Sequence, residues 1–137
     1  MDGRKILIAA IALMPMLAAC GSSSNPNNPT PTEVTETFTG TITQNGAATI
    51  TYDTATAGTV TAKLTALAPD ATSVIGFALG TWDGSACQLV IVDPAGTTGS
   101  VHGASVSTKG TYCVHLYDVG KITADQPVTY TVTVEHP

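Results

Sequence analysis

Three cysteines, three histidines and the aspartates past residue 50 are the residues of this 137-residue chain with chemistry to offer. The histidines are His102, His115 and His136, and none lies in a recognisable nucleophile motif. A hydrolase needs a nucleophile, a base and an orienting group converging on one point, so the pattern assigns no catalytic residue and the chain is not expected to be an enzyme. His115 stands between Cys113 and Tyr117, where it reads as a surface or disulfide-adjacent side chain. There is no Cys-x-x-Cys and no neighbouring His pair, so zinc is not expected. Asp53, Asp70, Asp83, Asp93, Asp118 and Asp125 fall at the ends of apolar runs or in turns. Aspartate there commonly hydrogen-bonds the local backbone. Two or three of them meeting at one end of the domain would make a calcium site of oxygen ligands, but no Asp-x-Asp spacing supports it and no cofactor is expected. Trp82, the only tryptophan, lies beside Asp83-Gly84 and is the candidate ligand contact. Such a residue either stacks on a sugar or partner, or caps the end of a core.

The cysteines need their surroundings. Arg4 and Lys5 precede an apolar run from Ile6 to Leu17, broken only by Pro15 and too short to span a bilayer as a mature helix. It closes on Leu17-Ala18-Ala19-Cys20, followed by Gly21. An ordinary secretory signal would end in an Ala-x-Ala-like site with no special residue after it. This segment resembles the lipobox of bacterial lipoproteins. The resemblance implies that residues 1–19 are removed, that a diacylglycerol is attached to the Cys20 sulfur, and that the new amine is acylated, as with palmitate. The mature protein would then be held in the cell envelope by covalent lipid. Gly21, rather than aspartate, after the cysteine resembles outer-membrane sorting in Gram-negative lipoproteins. Two or more acyl chains give stable anchoring, at about 0.8 kcal/mol per buried methylene.

With Cys20 taken by lipid, Cys87 and Cys113 remain as a pair in an exported compartment that permits disulfides. A bridge between them would stabilise the fold by about 3 kcal/mol in the chain-entropy model. The alternative is two free buried thiols.

The net charge is −5, and the only lysines beyond the leader are Lys63, Lys109 and Lys121. Without a basic patch, neither nucleic acid nor anionic lipid is an electrostatic partner. Residues 20–34 continue from the cysteine as GSSSNPNNPTPTEV, which has almost nothing to bury and reads as a flexible spacer.

From Thr35 to the end the chain alternates with period two. Phe38, Gly40 and Ile42 interleave with threonines, and Asn45-Gly46 reads as a two-residue hairpin turn into Thr49 to Tyr52. In Gly58 to Leu67, Val60, Ala62, Leu64 and Ala66 share one face. In Val74 to Thr81, Ile75, Phe77 and Leu79 share another. Cys87 to Val92 is apolar on both faces, as a central strand would be, and Asp93 to Gly96 ends it. Val101 to Val106, Thr111 to Tyr117 and Val128 to Val134 complete about eight short strands with no helical periodicity. The expected fold is all-β, an antiparallel sandwich of jelly-roll type over residues 35–137. The threonine rows suit the solvent face of a sheet; a threonine array that binds ice or carries glycans is the other reading, and strand preference alone explains the rows. One conflict stands: Cys113 alternates with Tyr112, Val114 and Leu116, whereas Cys87 shares a face with Leu89 and Ile91. A bridge then needs a strand buried on both faces, or a bulge.

Four segments, Gly58 to Leu64, Leu89 to Gly96, Gly110 to Val114 and Tyr130 to Val134, together resemble the bacterial pre-peptidase C-terminal domain in that order. The resemblance covers about Thr35 to His136. It implies a β-sandwich accessory domain of the kind appended to exported proteases. Related collagen-binding domains hold calcium near their N-terminal linker, where this chain has only Glu33 and Glu36. The chain also carries the additional Cys87 and Cys113 pair. The expected function is a lipid-anchored, non-catalytic binding or accessory module for an envelope protein or glycan. The alternatives are a structural or assembly subunit of an envelope complex and, more distantly, a hydrolase.

Overall fold

The computed structural model describes residues 30–137. The lipobox, Cys20 and most of the spacer lie outside the described residues. Eight strands follow one another: β1 (Val34–Ile42), β2 (Ala47–Thr54), β3 (Gly58–Ala68), β4 (Ile75–Trp82), β5 (Cys87–Gly96), β6 (Val101–Val106), β7 (Gly110–Tyr117) and β8 (Val128–His136). They form two four-stranded antiparallel sheets, in the orders β1-β8-β3-β6 and β2-β7-β4-β5. This is the strand order of a jelly roll, as the spacing of strands and turns predicts.

The two sheets close on one apolar layer. Ile42, Val60, Leu64, Val132 and Val134 come from the first sheet, and Ile75, Phe77, Val114 and Leu116 from the second, all within 1% of complete burial. Along β8 the alternation is regular, with Val128, Tyr130, Val132 and Val134 inward and Thr129, Thr131 and Thr133 on the other face.

The structure corrects the sequence reading in four places. Asn45-Gly46 does not join a paired hairpin: β1 pairs with β8 and β2 with β7, so the turn is a corner between sheets. Only Asn45 has positive φ (55°), whereas a type I′ hairpin needs two such residues. The corner is instead laced to the β7–β8 loop. The Asn45 N–H donates to Asp118 Oδ2 at 2.9 Å, and the Asp118 N–H to the Gly46 carbonyl at 2.9 Å. In β3 the inward face changes after Leu64, so that Ala66 is exposed and Leu67 buried. A register shift against β8 between Leu64 and Ala66 causes it, with the Thr65 hydroxyl on the Thr131 carbonyl at 3.0 Å. β5 is an edge strand, not a central one, and leaves Leu89, Val90 and Val92 exposed. It also runs on through Asp93 and Pro94 to Gly96, because an edge strand tolerates proline where a central one would lose a ladder bond. The strand buried on both faces is β4, where every residue from Ile75 to Gly80 is buried.

Candidate functional site

The second sheet's outer face is built on small residues. Gly76, Ala78 and Gly80 of β4 alternate outward while Ile75, Phe77 and Leu79 go to the core. β7 lays its own outward side chains beside them: Tyr117 opposite Gly76, His115 opposite Ala78, Cys113 opposite Gly80. The Tyr117 ring lies where a Gly76 side chain would project, 2.2 Å from an ideal Cβ. Space that β4 gives up is therefore occupied by β7 side chains and by the start of β5.

Cys87 and Cys113 form a disulfide with a Cα–Cα distance of 5.8 Å. Their strands are not neighbours, since β4 runs between them. Flat next-nearest strands would stand about 9.5 Å apart. The start of β5 must therefore lean across the face of β4, and it does so over Gly80. A Cβ there would meet the Gln88 carbonyl oxygen at 2.2 Å. The β4–β5 register shifts between Leu79 and Gly80 at the same point. Both alternatives that the cysteine pair left open are met: its strand β7 is buried on both faces at Cys113 and Val114, and the β4–β5 hairpin carries a bulge. Cys113 and its neighbour Val114 are both fully buried, one under the bridge and the other in the core.

The bridge forms one wall of an open groove of about 310 Å³ lined by Thr49, Trp82, Ser85, Cys87, Leu89 and His115. Trp82 ends β4 opposite Cys87 and is half-buried. The turn after it is fixed by Asp83. Its Oδ1 accepts the N–H groups of Ser85 (2.8 Å) and Ala86 (2.7 Å), and Oδ2 accepts Gln88 Nε2 at 2.7 Å. These bonds, the Ala86 and Ser85 N–H groups foremost, hold the Asp83 carboxyl down at about 2. On the other side His115 shares a 2.8 Å hydrogen bond between Nδ1 and Thr49 Oγ1 and stacks on Tyr117 with centroids 5.7 Å apart. Burial lowers its pKa, so the imidazole is neutral at pH 7. The groove thus offers an indole, a neutral imidazole, a leucine and hydroxyls on a fixed frame.

The other residues with chemistry to offer serve the scaffold. His102 Nε2 donates to the Phe77 carbonyl at 3.0 Å and its ring stacks on Phe77. His136 is buried, with Nε2 3.1 Å from Glu36 Oε1. Asp53 accepts the Thr111 hydroxyl across the β2–β7 pair at 2.6 Å. Asp70, Asp93 and Asp118 each accept a backbone N–H from residues just ahead of them in the chain. Among the described residues no three His, Cys, Asp or Glu side chains come together as a metal-binding group. The carboxylates that the sequence left as calcium candidates are spread over β2, β5 and separate turns.

Trp82 and the cysteine pair were visible in the sequence, and the structure brings them together with His115. Thr49 and Leu89 were not singled out, because their place depends on the bulge at Gly80 and the lean of β5. The sequence matches no family model, and no curated protein matches it.

Proposed function

We propose that this protein is a non-catalytic binding module of the cell envelope, anchored through lipid on Cys20, and that the Trp82–His115 groove takes a glycan. The observation that carries the reading is the half-buried indole beside a neutral imidazole and the hydroxyls of Thr49 and Ser85. An aromatic face suits the apolar side of a sugar ring, and hydroxyl and imidazole groups suit its hydroxyls. The disulfide and the Asp83 turn support this reading by fixing both walls, which lowers the ordering cost of binding. A lipid anchor on Cys20 and a polar spacer give such a module reach within the envelope.

Trp82 is its own reporter, since no other tryptophan contributes to the fluorescence. Titration of the full chain with soluble envelope glycans should quench or shift that fluorescence. Trp82→Ala should abolish binding, followed by calorimetry, with little change in melting temperature. A panel with no binder, or binding that survives Trp82→Ala, overturns the glycan reading. The anchor is tested separately: labelled palmitate should enter the wild type and be absent from Cys20→Ser, which should leave the membrane fraction.

A second reading, an assembly subunit of an envelope complex, is favoured by one different observation. The β5 edge presents Leu89, Val90 and Val92, which are 43%, 70% and 50% exposed.

A further inference from the structure

The strand orders bring two unpaired edges to one side of the sandwich. β5 bonds only to β4 and β6 only to β3, and an apolar cleft lies between β5 and β6. We propose that this side is a strand-docking site for an uncharged, extended segment of a partner protein. The segment adds to the β5 edge through main-chain hydrogen bonds and seats one branched apolar side chain in the cleft. This deepens the subunit reading and is independent of the Trp82 groove.

Three observations carry it. First, the edge is bare over its first six residues, with Asp93 and Pro94 beyond them. Natural sheets blunt exposed edges with lysine, proline or inward charge. From Cys87 to Val92 β5 has no charged residue and no proline. Second, the exposed valines are concentrated here. Val90 and Val92 belong to β5, and Val101, 52% exposed, begins β6.

Third, the cleft has the size of a side chain. It holds about 100 Å³ between Val60, Leu79, Ile91 and Val106, with Val90 at its border. An engineered apolar cavity of about 150 Å³ accepts benzene, so this one suits an isopropyl or isobutyl group. A second copy of this chain is the poorer occupant, because it would bring its own net charge of −5 against the same charge.

The test uses the full chain in detergent, panned against displayed random dodecapeptides. Enriched peptides should carry Val, Ile or Leu at alternate positions and no acidic residue between them. Val90→Lys, at an exposed position, should weaken them at least tenfold with an unchanged melting temperature. Trp82→Ala should leave them untouched, which separates this site from the glycan groove. Hydrogen exchange should slow in β5 when peptide binds. Absence of enrichment, or binding indifferent to Val90→Lys, overturns the proposal. A concentration-dependent dimer abolished by Val90→Lys overturns it too, in favour of a second copy.

Discussion

Gly80 is the residue on which the disulfide geometry turns, and replacing it with alanine tests how the two are linked. An added Cβ would lie 2.2 Å from the Gln88 oxygen and 2.8 Å from its carbonyl carbon. Both are backbone atoms and cannot rotate away. Ordinary contact begins near 3.4 Å, so β5 would have to retreat by about 1.2 Å. The Cys87–Cys113 Cα distance is already 5.8 Å. A retreat of that size takes it to about 7 Å, past the roughly 6.8 Å that a disulfide spans comfortably. The substitution must therefore strain either the bulge or the bridge. Overpacking of this kind costs about 1–3 kcal/mol, and the bridge puts Gly80→Ala in the upper half of that range. For a domain of this size the fall in melting temperature is roughly 10–15 °C. The informative assay is urea unfolding of Gly80→Ala in two backgrounds, native and Cys87→Ala/Cys113→Ala. Without the bridge β5 is free to lift, and the cost should drop below about 1 kcal/mol, leaving a coupling of at least that size. Equal costs in both backgrounds would refute the linkage. So would a native-background cost under about 0.5 kcal/mol, which would mean that β5 lifts without resistance.

The remaining predictions test the scaffold. Removing the bridge alone with Cys87→Ala/Cys113→Ala should cost about 3.5 kcal/mol, the loop-entropy value for a separation of 26 residues, measured by the same unfolding assay. Phe77→Ala, which empties the largest fully buried side chain, should cost about 3–5 kcal/mol and be read from calorimetric melting. Acid should destabilise the fold in a defined window. Asp83 is held at about 2 by the Ala86 and Ser85 N–H groups, and Asp70 is lowered by Thr72. For Asp118 burial pulls upward, but the N–H groups of Asn45, Ile122, Lys121 and Gly120 prevail and lower it. A carboxyl with a depressed folded pKa contributes stability above its unfolded value and loses it as pH falls toward the folded one. Stability should therefore decline between about pH 4 and pH 2, and Asp83→Asn should flatten that decline in a pH series of urea midpoints. His115, lowered by burial, follows the same sign at higher pH. Stability should fall as pH drops below about 6.5, and His115→Gln should remove that slope.

How far the sequence could be read depends on what each residue reports. β8 was legible because Val128, Tyr130, Val132 and Val134 alternate without interruption, and a two-residue period has one structural meaning in a half-buried strand. The eight strands and their turns followed from the same signal. Pairing did not, because periodicity marks a face and leaves the neighbour open. Asn45-Gly46 shows the difference. Its composition is that of a hairpin, yet Asp118, 73 residues away, holds the Asn45 N–H and turns the chain into the other sheet. Cys87 to Val92 misled for a related reason. Apolar residues on both faces marked a buried strand, whereas here Leu89 and Val92 share the groove face with the bridge and Val90 borders the cleft. The strand that is buried on both faces, β4, was hidden because its second face is glycine and alanine. Its burial comes from what β5 and β7 lay over it.

The same strand order sets the β5–β6 side apart from the strand that follows the spacer. Val34 opens β1, which lies at one edge of its sheet, while β6 lies at the other. Three strand spacings, about 14 Å, separate them. On the lipoprotein reading the tether therefore enters at the β1 edge, and the β5–β6 side is the one furthest from it across the sheet. A short tether would press a random face against the membrane as often as any other, whereas the fourteen residues from Gly21 to Val34 are polar and rich in proline. On the lipoprotein reading the spacer is what would keep the membrane clear of either site. Shortening the spacer should leave peptide and glycan affinity in detergent unchanged and reduce capture of large ligands only when the chain is in a bilayer. If affinity in detergent falls as well, the spacer contributes to a site directly, and the separation of anchor from recognition is wrong.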